Sequence, residues 1–537
     1  MPKKNTTKKK IQNNFKKSFK EHLWLWVLLG TFLIIGTLLA KYWFNHQINP
    51  DATSYFSIAE KYAHGNFKQA INGYWGPLLS WSLVPFVWIG KELIIGAKLI
   101  NLFAGTLILI TAYFLMLCEF NIDKKLTNLV TLILAFTVLG WNYPGAITPD
   151  ILFVAVLIIE IYALILFLKK PSLKNILVLG FCGALLYYAK FFGGYFFIGQ
   201  IGLLAVIDLF KSRKMSALVP YMKVFILFGL LILPFVVSIS LKYNQPTLST
   251  AGPYNQGIIN VSGANVSITH PMTITGPYNP PNKTAYSIWE DPVNISVPHY
   301  HPFKNKADFT RLLQIIRFNA KATRNHIISM GFLTITGLLL LIAQTIYRDK
   351  KQFKNFLNPN TVLLTTSLVL AGGYILVLVE QRYLWGLVII GLIALASFLN
   401  DGVKNVKISY LFMALSIVLI GWITIENIIN NKYINKPDYT TGQFVSSIIP
   451  EGEYVISDTF NSIYTCYFAK LRCYGVLIAK AALADQENTY QQLKANKINY
   501  LIDNHSKDSD PNFIKFKNAY FTPISNTPGQ PTIYKLR

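Results

Sequence analysis

A few charged side chains stand beside long apolar runs, and they are the candidates for chemistry. Asp51 follows the first apolar run, and Asp150 directly precedes another. Carboxylates at such positions can act as a general base or orient a hydroxyl group. Lys98, Lys190 and Arg382 stand near the ends of other runs, where cations can hold an anion such as a phosphate. The pattern indicates a polar site at the edge of an apolar bundle.

The same residues also have structural interpretations. Both acids stand in helix-start patterns, Asn49-Pro50-Asp51 and Thr148-Pro149-Asp150, in which a carboxylate complements the helix dipole. The lysines could snorkel to the membrane interface, and Arg382 could pair with Glu380. Glu160, in the middle of an apolar run, is either functional or a protonated, hydrogen-bonded carboxyl group.

The composition is that of a polytopic membrane protein. The chain has 537 residues, of which 52% are hydrophobic and 14% charged, and its mean hydropathy is +0.37. These values argue against a soluble enzyme. The net charge of +25 could suggest nucleic acid, but the basic residues lie in tails and short loops, where they set membrane orientation. We expect membrane lipids and no nucleic acid among the partners.

The membrane-spanning segments are predicted from the lengths of the apolar runs. A run at 77–90 is too short to be a secure span and contains Pro85. If it does not cross, the Lys- and Arg-rich loops all face the cytoplasm, as the positive-inside rule requires. We therefore expect a multi-pass plasma (inner) membrane protein with a cytoplasmic N-terminus. Eleven other runs approach the bilayer thickness of about 30 Å at 1.5 Å per residue: 23–40, 93–117, 126–141, 151–168, 173–190, 193–210, 218–241, 325–347, 361–379, 384–400 and 408–426.

This topology gathers the polar candidates on one side of the membrane. Asp51, the turn at 143–150, the hairpin at 190–194, the loop 242–324 and the segment 380–383 all fall on the outer side. Polar groups that gather on one face of a helical bundle indicate a site there. The long Pro- and Asn-rich loop is typical of a lid or a binding loop.

Three regions are predicted. Residues 1–22 form a disordered basic cytoplasmic tail. Residues 23–430 form an all-α transmembrane domain, with outer loops at 41–92 and 242–324. Residues 435–537 form a small extracytoplasmic α/β domain.

The C-terminal region shows short strand and helix patterns. Cys466 and Cys473 could form a disulfide if the domain is extracytoplasmic. The strands are expected at 453–457 and 499–502, and the helices at 463–469 and 487–495.

Two amphipathic helices are expected along the membrane surface. One begins at Pro50 and carries its apolar side chains on one face. The other covers 307–324, with an apolar face opposite Arg317, Lys321 and Arg324. The second helix either attracts a lipid phosphate or is an interfacial helix with solvated charges.

Six short motifs follow one another across residues 23–400: Asn49-Pro50-Asp51-Ala52-Thr53-Ser54-Tyr55, Trp75-Gly76-Pro77-Leu78-Leu79, Ala97-Lys98-Leu99, Thr148-Pro149-Asp150, Ala189-Lys190-Phe191 and Glu380-Gln381-Arg382-Tyr383-Leu384. The ordered set resembles the GT-C superfamily of integral-membrane glycosyltransferases. It is most similar to the branch of protein O-mannosyltransferases, aminoarabinose transferases and related bacterial enzymes. Many relatives have Asp-Glu where this chain has Asp51-Ala52, which leaves the acceptor class and any metal requirement open.

The resemblance implies an enzyme that transfers a sugar from a polyprenyl- or dolichyl-phosphate donor, with inversion, on the extracytoplasmic face. The acceptor would be a hydroxyl group of a glycan, lipid or protein. No cofactor is required, although a divalent metal is possible. The implied roles are Asp51 as base, with Asp150 as a second catalytic carboxylate that orients the acceptor or joins Asp51 in holding a metal. Arg382, Lys190 and Lys98 are expected to bind the donor phosphate, and Tyr55, Trp75 and Glu380 the substrate.

Two other classes fit parts of the sequence. An O-antigen ligase or polymerase would use a diphosphate-linked glycan and depend on loop residues such as Arg311, His299 and His301. A lipid or solute transporter, which is not an enzyme, would show inverted repeats and charges at the membrane midplane. No internal repeat is evident in the sequence.

Overall fold

The structure is a computed structural model. The basic tail lies almost entirely outside the residues that it describes, as do His299 and His301. The described residues are 20–143, 145–262, 265–268, 281–294, 302–351, 357–403, 405–459, 462–477, 483–505 and 510–537.

The first part of the chain is a helical bundle. Its helices are α1 (Leu23–Tyr42), α2 (Pro50–Ala63), α3 (Phe67–Ala70), α4 (Pro77–Trp88), α5 (Leu93–Cys118), α6 (Lys124–Asn142), α7 (Asp150–Lys169), α8 (Leu173–Ala189), α9 (Phe192–Ser212), α10 (Val219–Lys242), α11 (Ala251–Ile258), α12 (Lys306–Ser329), α13 (Phe332–Lys351), α14 (Pro359–Ile375), α15 (Trp385–Asp401) and α16 (Val406–Asn430). In the described chain, eight helices are long and apolar enough to cross a membrane, or nine if one bent pair counts as a span. The predicted polytopic helical fold is confirmed.

The predicted runs all contain helix, but some are shorter than a full span. Helices α8 and α14 have 17 residues each, which is about 25 Å at the usual rise per residue. Helix α4 has only 12 residues, so it is too short to cross as a single helix. This agrees with the expectation that 77–90 does not span.

The prediction of one continuous span at 325–347 is wrong. Helices α12 and α13 meet there at an angle of 113°. The break lies at Gly331, whose φ of +93° is in the region that favours glycine. Helix α13 packs along α15, whereas α12 turns away toward α14.

Helix α2 is not a surface helix with one buried face. Thr53, Ser54, Phe56 and Ser57 are buried, as are the apolar-face residues Tyr55, Ile58 and Ala59. The segment 281–294 and the C-terminal domain cover the side that was expected to face water. The helix therefore belongs to the protein interior beneath an outer layer.

The C-terminal region is the predicted α/β domain, and its sheet is mixed. Strand β3 (Tyr454–Ser457) pairs in parallel with β4 (Arg472–Val476) and β5 (Tyr500–Asp503). Strand β7 (Thr532–Leu536) runs antiparallel to both β5 and β6 (Phe521–Ser525), which gives the order β4-β3-β5-β7-β6. A separate two-stranded sheet, β1 (Ile259–Ser262) with β2 (Asn265–Ile268), lies in the long loop. The remaining elements are α17 (Lys436–Ser446), α18 (Ser462–Phe468), α19 (Gln486–Ala495) and α20 (Pro511–Tyr520).

A disulfide joins Cys466 in α18 to Cys473 in β4, with 6.0 Å between their Cα atoms. Replacing Cys466 with serine is expected to lower the free energy of unfolding by about 2–3 kcal/mol, because the bond closes a short loop in the unfolded chain. The measurement is the midpoint of thermal unfolding of the full-length protein in detergent. Cys118→Ser, at an exposed free cysteine, is the control. Equal midpoints for both variants would contradict the prediction.

Candidate active site

Four segments bring charged residues to one end of the bundle. Asp51 is the second residue of α2, and Asp150 is the first residue of α7. Lys190 stands in the short connection between α8 and α9. Arg382 belongs to the 3-10 turn Gln381–Leu384 that leads into α15. The four groups lie close together, and the side of the membrane that they face stays a prediction.

Arg382 lies between three carboxylates. Its Nη2 atom is 3.0 Å from Asp51 Oδ2, and its Nε atom is 2.7 Å from Glu380 Oε2 and 3.6 Å from Asp150 Oδ2. The Arg382 side chain is 20% exposed, so these contacts form in a largely water-excluded place. Charge-assisted bonds of this kind fix the guanidinium plane. The predicted pair of Arg382 and Glu380 is therefore present as part of a larger cluster.

Lys190 completes the cluster. Its Nζ atom is 2.7 Å from Asp150 Oδ1, and the Thr148 hydroxyl donates to Asp150 Oδ2 at 2.7 Å. The ammonium also lies 3.5 Å from the ring centroid of Tyr383, a cation–π contact. Asp150 is thus engaged through both oxygens, and its side chain is 2% exposed.

A cavity of about 320 Å³ lies over these groups. Burial, and then the Asp51 carboxylate, raise the pKa of Tyr55 and Tyr74 well above the usual range of tyrosine. Both phenols therefore stay neutral and can donate hydrogen bonds. The lining combines the charged cluster with the aromatic side chains of Tyr55, Tyr74, Trp75, Trp289 and Tyr383.

A second cavity of about 640 Å³ adjoins the first. It lies between α9 and α14, and its lining is mostly apolar. Seven residues line both cavities: Tyr55, Tyr74, Trp75, Lys190, Asn255, Leu378 and Tyr383. The apolar cavity therefore borders the charged cluster, and Lys190 lies where the two cavities meet.

No protein-family profile and no characterised protein matches this chain by sequence. Solved structures do match its fold. ArnT from Cupriavidus metallidurans, bound to undecaprenyl phosphate, superposes with a TM-score of 0.57 at 10% identity, over 96% of this chain and 98% of ArnT. The oligosaccharyltransferase AglB from Archaeoglobus fulgidus, in complex with an inhibitory peptide and a dolichol-phosphate, gives 0.53 at 13% identity, over 90% of this chain and 70% of AglB. This chain shares the fold of ArnT and AglB. The similarity expected from the motifs is confirmed at the level of the fold.

One contact at this site was not predicted from the sequence. Trp289, from the long loop, donates through Nε1 to Asp51 Oδ1 at 3.1 Å. Trp75 in turn donates through its own Nε1 to the Trp289 carbonyl oxygen at 3.1 Å. Asp51 is therefore held from both sides, by Trp289 and by Arg382. The sequence signal is the run Trp289-Glu290-Asp291, which is unusual in a loop rich in Pro, Gly and Asn.

A buried ion pair fixes the segment that carries Trp289. Lys61 Nζ is 2.7 Å from Glu290 Oε2, and the two side chains are 3% and 2% exposed. Ser57 accepts a second bond from Lys61, and Asn282 donates to the other Glu290 oxygen. Burial lowers the pKa of Lys61, and the Glu290 carboxylate opposes that shift. The ion pair anchors residues 281–294 to α2.

Replacing Lys61 with methionine is expected to destabilise the protein by about 3–5 kcal/mol, because Glu290 is left buried without its partner. The readouts are thermal unfolding in detergent and the rate of proteolysis within residues 281–294. Lys470→Met is the matched control, since the Lys470–Glu451 pair is exposed. A Lys61→Met protein as stable and as protease-resistant as the control would refute the anchoring role.

Lys98 is not part of the charged cluster. Its Nζ atom donates to the carbonyl oxygens of Asn142 and Gly145, at 2.5 and 3.3 Å. Gln47 also donates to the Gly145 oxygen, at 2.7 Å. Lys98 does not line the charged cavity. It fixes the turn that leads to Asp150, and its predicted contact with a donor phosphate finds no support in this placement.

Glu160 also lies away from the site. It is fully buried in α7, ten residues after Asp150, which is about 15 Å along a helix. The neighbouring polar side chain is Gln200, whose Nε2 atom donates to the Thr366 hydroxyl at 2.7 Å. The structure thus places Glu160 among interhelical polar groups rather than in the cavity.

A metal site is not evident in the described residues, where no three His, Cys, Asp or Glu side chains gather to hold an ion. Asp51 and Asp150 are the carboxylates that could share one. Arg382 stands between them and contacts both. The arrangement of these carboxylates therefore suits a guanidinium group better than a divalent cation.

Proposed function

We propose that this protein is a glycosyltransferase that moves a sugar from a polyprenyl-phosphate, or dolichyl-phosphate, donor to an acceptor hydroxyl. The observation that carries the proposal is the junction of the apolar and charged cavities. A lipid chain fits the first cavity, and a phosphate with its sugar fits the second. The bound undecaprenyl phosphate of ArnT and the dolichol-phosphate of AglB, on the same fold, support this arrangement.

Lys190 and Arg382 hold the donor phosphate in this proposal. Lys190 lines both cavities, so it meets the phosphate where the lipid chain ends. Arg382 exchanges its bond to Asp51 for one to the phosphate, which releases Asp51 Oδ2. Tyr55 and Trp75 offer a phenol and an indole face to the sugar. Donor binding therefore also prepares the base.

The transfer is a single displacement. The acceptor oxygen bonds to the anomeric carbon as the bond from that carbon to the phosphate oxygen breaks. The electron pair leaves on the polyprenyl phosphate, whose charge Lys190 and Arg382 stabilise. Asp51 takes the acceptor proton, with Trp289 keeping its other oxygen oriented. Attack opposite the leaving phosphate inverts the sugar configuration.

Asp150 and Lys98 act as positioning residues in this mechanism. Asp150 is too enclosed to meet an acceptor, and its oxygens already bind Lys190 and Thr148. It holds Lys190 and Arg382 at the phosphate site. Lys98 supports the turn before Asp150 through two backbone carbonyl groups. The predicted catalytic role of Asp150 thus becomes an indirect one.

We place the site on the extracytoplasmic side of the plasma membrane, with the N-terminus in the cytoplasm. The Lys- and Arg-rich loops then lie inside, as their composition favours. The disulfide between Cys466 and Cys473 suits an oxidising compartment. The acceptor is a glycan, a lipid or a protein that reaches the site from that side.

The test is release of polyprenyl phosphate from purified protein, followed by mass spectrometry. A panel of polyprenyl-phosphate sugars is compared with polyprenyl-diphosphate sugars, with and without EDTA. We expect turnover of a monophosphate donor that EDTA leaves unchanged, because the leaving group is good and two cations neutralise it. Turnover of diphosphate donors alone would favour the ligase class. Solute flux in proteoliposomes without turnover of any donor would favour a transporter.

A further inference from the structure

Helix α12 presents two adjacent stripes to its surroundings. Phe309 and Leu313 are 44% and 51% exposed, and Phe303 just before the helix is 84% exposed. Arg317 and Lys321 are also exposed. At about 100° per residue, Arg317, Lys321 and Arg324 occupy an arc of about 60° beside the apolar stripe, so the expectation that they lie opposite it is wrong. Such a helix suits the boundary between acyl chains and headgroups.

The opposite face of α12 is fixed to the protein. Ile315, Asn319 and Thr323 are buried. Asn319 Nδ2 donates to the Ile375 carbonyl oxygen at 3.0 Å, and Arg311 donates to the Ile259 carbonyl oxygen at 3.0 Å. The apolar and basic stripes therefore cannot rotate inward. Their exposure is a set feature of the fold.

The bend fixes the direction of α12. It makes an angle of 113° with α13, the other half of the bent pair. With α13 taken as the spanning half, α12 runs along the membrane surface. Gln381 Nε2 donates to the Ser329 hydroxyl at 3.1 Å, so the end of α12 lies next to the turn that carries Arg382. Helix α12 thus borders the leaflet beside the charged cavity.

The charge of α12 is strongly one-sided. Residues 302–331 contain six Lys or Arg side chains and one acid, Asp308. In the described chain, no ion pair involves Arg317, Lys321 or Arg324. Three unpaired cations beside an apolar stripe are complementary to a phosphate headgroup above acyl chains.

We propose that the basic stripe of α12, formed by Arg317, Lys321 and Arg324, binds the phosphate headgroups of anionic phospholipids. The apolar stripe of Phe309 and Leu313 inserts between their acyl chains. This surface is separate from the cavities, whose linings include none of these five residues. The inference does not depend on the proposed transferase activity. Its effect is to hold anionic lipid in the leaflet next to the site.

The test is native mass spectrometry of the full-length protein from micelles containing equal amounts of phosphatidylglycerol and phosphatidylcholine. The triple variant Arg317→Gln, Lys321→Gln, Arg324→Gln is expected to retain phosphatidylglycerol about tenfold less well or worse, with phosphatidylcholine unchanged. Restoring charge with lysine at all three positions should recover the binding. An unchanged thermal transition shows that the variant is folded.

The matched control removes three exposed lysines from the C-terminal domain, as Lys494→Gln, Lys515→Gln and Lys535→Gln. It should retain phosphatidylglycerol as the wild type does. Wild-type retention by the α12 variant would overturn the proposal. So would an equal loss in the control, because general attraction to a basic protein would then explain the binding.

Discussion

Replacing Asp51 with asparagine is expected to lower the turnover of glycosyl transfer by about 10²–10⁴-fold, the usual contribution of a general base. Asparagine keeps the shape of the side chain, and its amide oxygen can still accept from Trp289 Nε1. What it loses is the ability to take the acceptor proton. The measurement is the rate of polyprenyl phosphate release at saturating donor and acceptor.

Two observations separate chemistry from binding in this variant. The donor should bind at least as well as in the wild type, because Arg382 no longer shares its charge with Asp51. Glu451→Gln, at an exposed acid, should keep full activity. Equal turnover by Asp51→Asn and the wild type would rule out Asp51 as the base.

Replacing Arg382 with glutamine is expected to lower kcat/KM for the donor by about 10²–10³-fold, comparable to loss of one preorganised donor to a developing anion. The change also leaves Asp51 and Asp150 without the cation between them. Arg382→Lys keeps the charge but not the planar fork, so an intermediate loss is expected. Saturation kinetics in donor and in acceptor give the two parameters separately.

The expected signature of Arg382→Gln is a rise in the KM for the donor that exceeds the rise for the acceptor. Arg213→Gln is the control, because Arg213 caps the far end of α9, about 30 Å along the helix from Phe192 at the apolar cavity. An unchanged KM for the donor in Arg382→Gln would show that Arg382 does not bind the donor phosphate.

Local patterns in the sequence were sufficient for most helices of the bundle and for the charged cluster. The helix starts at Pro50 and Asp150 and the order of the apolar runs placed Asp51, Asp150 and Arg382 at one end of the bundle. Topology alone gives such a result, because alternating spans return every second loop to the same side. The structure shows Arg382 in contact with both carboxylates, whereas the roles of the three residues remain predictions.

Contacts that depend on packing between distant segments could not be predicted. Lys98 carries a local sequence that resembles a donor-site motif, yet its ammonium finds backbone carbonyl groups 44 and 47 residues away. Trp289 reaches Asp51 across 238 residues. The bend at Gly331 was hidden because apolar residues continue on both sides of it. Strand β6 was missed because Pro523 and an exposed surface mask its pattern.

The most direct test is a cryo-EM structure of the full-length protein with bound polyprenyl phosphate. The account predicts the phosphate within hydrogen-bonding distance of Lys190 and Arg382, with the lipid chain along α9 and α14. It also predicts that the bond between Arg382 and Asp51 is broken. A phosphate bound elsewhere, such as beside Lys98 or on α12 alone, would contradict the common site on which the proposed reaction depends.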